Sequence, residues 1–235
     1  MLILAFETSA KAAGVALHDG EKLLAETYQN TGLTHSQTLL AMAEDLLRQC
    51  GHRAQELTAV AVAAGPGSFT GVRIGVAAAK GLAWGGELPC YGVSTLEAMA
   101  RGMGIYDGTI CAVMDARRNQ VYNGLFQARQ GKLTPLCPDR AIALSELEAE
   151  LARLDGPIYL VGDGSVLTYG ALHGTVENLI LPPEHRLHQR AAGVALAALE
   201  QIRAGKSGNA AELVPNYLRL SQAEREKMER NAKEN

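Results

Sequence analysis

Two stretches of this sequence carry residue types that could do chemistry. The first is Phe6-Glu7-Thr8-Ser9, a carboxylate and two hydroxyls placed where a short apolar run, residues 2–6, stops. Such a group could face a phosphate or a metal ion; it could equally be a polar turn. The second is Gly65-Pro66-Gly67-Ser68-Phe69-Thr70-Gly71, which leads into an apolar segment reaching Trp84. Glycines let a ligand approach the backbone closely, Ser68 or Thr70 can cap a helix, and the free amides of a helix start favour an anion. Glu7, Thr8, Gly67, Ser68, Thr70 and Arg73 are therefore the candidate phosphate or nucleotide contacts. The full P-loop pattern is missing: no GK[ST] follows the glycines, and Lys80 lies too far along the helix to serve the turn. Within that helix Gly71, Gly75, Ala78, Ala79 and Gly81 place small residues at three-to-four spacing. A mid-helix Gly costs about 1 kcal/mol against Ala, a cost that makes sense where another backbone passes close by.

Other catalytic constellations find no support. A helical metal pair needs two ligands on one face, commonly at i and i+4. His35 has Leu39 at that offset, and His185 and His188 follow Pro182-Pro183 in a segment that reads as a loop, so no metal is expected. No serine sits in a GxSxG elbow and no cysteine carries a nucleophile signature. Cys50, Cys90, Cys111 and Cys137 are widely spaced and read as reduced thiols. Asp115-Ala116-Arg117-Arg118 offers two arginines beside one carboxylate. That group fits a phosphate as well as it fits a hairpin turn with an exposed ion pair.

These residues must be positioned by a chain of 235 residues with 47% hydrophobic and 20% charged content and a net charge of -3. The balance describes a soluble globular protein with a sizeable core and no global basic footprint for nucleic acid. Residues 1–10 lack a basic n-region and no apolar run reaches membrane-spanning length, so a cytoplasmic protein is expected. The chain opens with strands over 2–6, 14–18 and 22–28, the last two joined at Asp19-Gly20. Thr34 and Gln37 suit a helix start, and Leu39, Leu40, Ala43, Leu46 and Leu47 recur at helical spacing before Gly51. A strand at 57–64, a helix at 71–84, a strand at 88–93 and a helix at 95–102 follow. The second half repeats strands first (109–114, 120–127 and after Gly131), then a helix at 145–153 from Ser145, strands at 158–161 and 176–181, and a helix at 189–203. That echo predicts two duplicated βββαβα lobes, 1–106 and a reduced 107–221, with helix 189–203 free to pack back on the first and a polar tail over 222–235. Helices 34–50 and 71–84 carry broad apolar faces that ask for a cover. His35, Leu39, Met42, Ala43, Leu46, Val72, Gly75, Val76 and Ala79 are the expected partner interface.

The segments LAFETSAKAAGVAL, GLTHSQTLL, GPGSFTGVRIGVAAAKGLA, MDARRNQVY and PNYLR resemble the TsaB family in order and spacing over most of the chain. The resemblance implies an α/β fold of the ASKHA type (acetate kinase, sugar kinase, Hsp70, actin), in which the carboxylate at the position of Glu7 is more usually Asp. It implies a non-catalytic subunit without cofactor that activates TsaD, the enzyme transferring threonylcarbamoyl to adenosine in tRNAs reading ANN codons. The ATPase TsaE is implied as a third member, tRNA contact only through the complex, and a homodimer when the chain is alone. The rival reading is an ATP-dependent phosphotransferase or ATPase of the same fold using Glu7, Thr8, Asp163 and the 65–71 turn.

Overall fold

The computed structural model describes residues 1–103 and 106–219. Ile3–Glu7 (β1) and Ala13–His18 (β2) are buried at every position, which is why they read as unbroken apolar runs rather than alternating ones. β2 pairs antiparallel with β1 and with the edge strand Leu23–Gln29 (β3). The β2–β3 turn is longer than the two-residue hairpin expected: Asp19 Oδ1 accepts the N–H groups of Glu21 and Lys22, and Gly20 takes φ +96°. His35–Gln49 (α1) then crosses to Ala59–Ala63 (β4), parallel to β1. Phe69–Gly86 (α2) crosses to Cys90–Val93 (β5), parallel to β4. The sheet order is β3-β2-β1-β4-β5, and Thr95–Met103 (α3) follows.

The second half repeats this plan. Gly108–Asp115 (β6) and Gln120–Arg129 (β7) form a hairpin, and both Lys132–Pro135 (β8) and Arg140–Ala143 (β9) pair with β7. Leu144–Leu151 (α4) leads to Ile158–Val161 (β10), parallel to β6. Ser165–Leu172 (α5) leads to Leu179–Ile180 (β11), parallel to β10, and Ala191–Arg203 (α6) closes the repeat. The order β11-β10-β6-β7-β8 is the first sheet's plan again. It is a reduced copy, because α5 has 8 residues where α2 has 18, and β11 has 2 where β5 has 4.

The two halves share a core because their last helices reach across. α6 lays Ala191, Val194, Ala195 and Ala198 on Ile3, Ala5 and Ala16 of the first sheet. α3 lays Leu96, Met99, Ala100 and Met103 on Ile110, Ala112, Met114 and Phe126 of the second. The two helices touch where Gly193 lies against Ala98; a Cβ there would stand 2.1 Å from the Ala98 carbonyl oxygen. The opposite face of the first sheet is covered by α1 and α2.

Local differences from the sequence expectation have simple causes. Thr34 does stand at the α1 N-cap, but its side chain makes no cap bond; its carbonyl accepts the Gln37 N–H at 2.9 Å instead. Helix α4 begins at Leu144 with Ala143 at the cap position, so Ser145 does not cap it, and the Glu148 carboxylate is taken by the Thr175 hydroxyl. Strand β9 and helix α5 were not expected at all. The strand expected over 176–181 shrinks to β11. The polar tail expected from residue 222 lies outside the described residues. Among the described residues no helix is long and apolar enough to cross a membrane.

Candidate functional site

β1 delivers Glu7, Thr8 and Ser9 to the N-terminal end of α2, and the glycines there meet β1 rather than open space. A Cβ on Gly67 would stand 2.5 Å from the Ser9 carbonyl oxygen, one on Gly71 2.1 Å from that of Thr8, and one on Gly75 2.3 Å from the Thr8 hydroxyl. Thr8 Oγ1 donates to Gly71 O at 2.7 Å, and Ser68 N–H donates to Ser9 O at 2.6 Å. Ser68 caps α2 by accepting from Gly71 N–H, and its carbonyl takes Val72 N–H. The donors that an anion would need at Ser68, Gly71 and Val72 are thus engaged within the chain. Of the six candidate phosphate contacts, Glu7, Thr8 and Gly67 are packed into this junction and Ser68 caps it. Ser68, Thr70 and Arg73 are exposed, and Gly67 is half-buried.

Glu7 is 1% exposed. Its Oε1 accepts Ser9 N–H at 2.6 Å, while Oε2 has no hydrogen-bond partner among the described residues. Burial pushes the carboxyl up to about 7; Ser9 pulls against the rise, Asp163 adds to it, and the Thr8 backbone lowers it slightly. Asp163 stands in the turn after β10, and its Oδ1 accepts from Gln189 Nε2 at 3.1 Å. Its pKa is also raised, chiefly by desolvation. The Asp163 charge is felt at Glu7, and His188 opposes the rise at Asp163. Among the described residues no group of three or more His, Cys, Asp and Glu side chains could hold a metal ion. His35 Nε2 lies 2.8 Å from Ala10 O, so that nitrogen carries the proton and is used in tying α1 to the β1–β2 turn.

The expected interface needs a correction. Leu39, Met42, Ala43, Leu46, Val72, Gly75, Val76 and Ala79 are buried inside the chain, where α1 and α2 seat on Leu4, Phe6, Val60 and Val62. The apolar periodicity marked the inward stripe, which has the stronger pattern. The outward face is built from other residues. Leu33 and Leu40 are 57% and 59% exposed; Ala41, Ala77, Gly81, Trp84 and Gly85 are exposed and Ile74 and Ala78 half-buried. Nothing lies within 4 Å of where a Cβ on Gly81 or Gly85 would stand. At one end of this face a cleft of about 230 Å³ is lined by Lys11, Leu33, His35, Thr70 and Ile74.

Sequence reasoning missed the segment after α6 as a structural part. Residues 213–219 run back over both halves. Lys80 reaches Leu213 O at 3.0 Å, and Asn216 N–H donates to Ala64 O at 2.6 Å. Tyr217 stacks on Phe69 with centroids 4.7 Å apart and accepts Arg73 Nε–H at 2.7 Å, while the Arg73 guanidinium lies 3.8 Å over the Phe69 ring. Arg219 donates to the carbonyl oxygens of Ala116 and Arg117, in the β6–β7 turn. That turn puts three successive residues, Arg117, Arg118 and Asn119, at φ +66°, +56° and +56°. Left-handed backbone costs a non-glycine residue about 1 kcal/mol, and here it is held by Arg117 N–H on Asp115 Oδ1 and Leu144 N–H on Asn119 O. Arg117 and Arg118 are therefore in a hairpin turn, the first with a loose ion pair to Asp115 at 4.0 Å.

This architecture can be set against known proteins. A family model described as TsaD: tRNA N6-adenosine threonylcarbamoyltransferase matches residues 29–227. The Bacillus subtilis tRNA threonylcarbamoyladenosine biosynthesis protein TsaB is 36% identical over 227 residues, 95% of this chain and 96% of that one. The chain belongs to the TsaB family. The Escherichia coli TsaB protein is 37% identical over 70% of this chain and 72% of its own. YeaZ from Pseudomonas aeruginosa superposes with a TM-score of 0.74 at 27% identity, covering 92% of this chain and 99% of that one. The ethanolamine utilization protein EutJ from Carboxydothermus hydrogenoformans, at 15% identity and a TM-score of 0.50 over 84% of this chain and 90% of its own, shares the fold alone. The fold is the ASKHA one, with a repeated sheet order and a reduced second lobe. The family's role lies in tRNA threonylcarbamoyladenosine biosynthesis.

Proposed function

We propose that this chain is a non-catalytic subunit that pairs with the related TsaD transferase and orders it for threonylcarbamoyl transfer to tRNA in the cytoplasm. The observation that carries this reading is the outward face of α1 and α2. Exposed Leu33, Leu40, Ala41, Ala77, Gly81 and Gly85, with half-buried Ile74 and Ala78, form an apolar, small-residue surface left uncovered among the described residues. Small residues let a second pair of helices approach backbone to backbone, and a bundle across an interface buries such a face. A second copy of the chain covers the same face when the transferase is absent. TsaE joins as the ATPase of the assembly. Glu7, with its neighbours engaged inside the chain, holds the junction of β1 and α2 and takes no part in the reaction.

The test is to mix the purified chain with the transferase, measure the mass of the complex by light scattering, and assay tRNA modification. Leu40→Asp and Gly81→Arg, both on the outward face, are expected to weaken pairing about 100-fold each and to abolish activation. Because both positions are exposed, the lone variants should keep the parent's stability to within about 0.5 kcal/mol, apart from helix propensity at Gly81. Full pairing by both variants would sink this interface.

A further inference from the structure

We propose that the groove between α3 and α6 is a binding site for a small amphipathic monoanion, an apolar chain ending in one carboxylate. The groove has a volume of about 560 Å³, within the range of small-molecule sites. Its floor is apolar: Met99 and Met103 of α3, Val161 at the end of β10 and Leu196 of α6. Leu23, at the start of β3, lines it too. Leu23 and Leu196 are 43% and 37% exposed, so this wall is only partly covered among the described residues. Unbranched methionine side chains adapt to an irregular apolar ligand. α6 is seated on the first sheet and α3 on the second, so a chain bound between them spans the junction of the two halves. No residue of α1 or α2 lines the groove, and the inference stands apart from the pairing face.

The rim is charged, and the way its charges are already spent selects the ligand. Arg190 Nη2 lies 2.7 Å from Glu26 Oε2, and the other Glu26 oxygen accepts Ala192 N–H at 3.0 Å. Arg101 pairs with Glu97 at 2.7 Å, and His188 Nε2 lies 3.4 Å from Glu184 Oε1. Arg186 also lines the groove, is exposed, and has no ion pair or hydrogen bond among the described residues. One guanidinium is thus left for one anionic group, and its planar fork matches a carboxylate. A polyphosphate would have to draw on cations that Glu26 and Glu97 hold. An apolar amine would bring a second cation to Arg186. A single carboxylate at Arg186, with its chain laid over the methionines and Leu196, satisfies both the rim and the floor.

The experiment titrates the full-length chain with laurate, kept below its micelle concentration, by isothermal calorimetry. It is repeated with dodecylammonium, which has the same chain and the opposite charge. Laurate is expected to bind saturably at one site, and dodecylammonium about 10-fold more weakly. Arg186→Glu should weaken laurate about 10-fold, and Arg186→Lys by no more than about threefold, because the charge survives and only the fork is lost. Leu196→Ser should weaken both probes about fivefold through lost apolar contact. Both positions are exposed, and circular dichroism melts of the variants check that they fold as the parent does. Absence of saturable laurate binding by the parent would overturn the proposal. So would dodecylammonium binding as tightly as laurate, or laurate affinity left unchanged by Arg186→Glu or by Leu196→Ser.

Discussion

Gly71→Ala destabilises the chain by about 3 kcal/mol, whereas Gly81→Ala, ten residues along the same helix, stabilises it by about 0.5–1 kcal/mol. Both positions have helical backbone, so both gain the roughly 1 kcal/mol of helix propensity that Ala holds over Gly. What differs is the space. The new methyl at 71 would stand 2.1 Å from the Thr8 carbonyl oxygen. That oxygen belongs to the backbone just past β1, a strand paired on both sides and buried throughout. Neither it nor the helix can retreat without breaking the Thr8–Gly71 and Ser68–Ser9 bonds, and overpacking against backbone sits at or above the top of the usual 1–3 kcal/mol range. At 81 nothing lies within 4 Å. For a domain of this size the melting temperature should fall by roughly 6–12 °C in the first case and rise by a few degrees in the second. Differential scanning calorimetry of the three proteins checks this. A Gly71→Ala protein as stable as its parent would mean that α2 does not lie against β1 as described. Gly75→Ala should cost less, because its 2.3 Å neighbour is the Thr8 hydroxyl, which can rotate away at the expense of its bond to Gly71.

The same glycines show how far the sequence could be read. Small residues at three-to-four spacing correctly announced a close backbone, yet they were equally compatible with an anion, since glycine serves both needs. Only the distances to Thr8 and Ser9 separate the two. Strands β1, β2 and β4 were legible because they are buried on both faces and read as apolar runs. Helix α5 was not, because its pattern is inverted: Val166 and Leu167 are exposed while Ser165 and Thr168 are buried. The sides of α1 and α2 were misassigned for a related reason. Apolar periodicity finds the stripe that meets the sheet. An outward face of Ala and Gly with scattered leucines has little hydrophobic contrast and no period of its own. The strap was invisible because Asn216, Tyr217 and Arg219 act through contacts more than 100 residues away in sequence, which no local pattern encodes.

Glu7→Gln should raise stability by about 1 kcal/mol or less near pH 5 and by about 3 kcal/mol at pH 8. The sign follows from the two states. The unfolded carboxyl titrates near 4.5 and the folded one at about 7. Below 4.5 both states hold the proton and pH has no leverage. Between 4.5 and 7 the folded chain keeps a proton that the unfolded chain has lost, so each rise in pH favours unfolding. Above about 7 the folded state carries a buried anion and the loss is complete, at about 1.4 kcal/mol for each unit between the two values. A glutamine stays neutral at every pH. Its Oε1 can still accept Ser9 N–H, and its amide takes the place of the acid's hydroxyl at Oε2, the atom without a partner. Denaturant unfolding of both proteins from pH 5 to 8 isolates this group, because every other ionisable group is common to both and most of their effect cancels in the difference. A difference that stays flat with pH would mean that Oε2 is compensated in solution by a bound cation. Because Oε2 has no hydrogen-bond partner among the described residues, that result would return the β1 end from a structural junction to a ligand site and reopen the phosphotransferase reading.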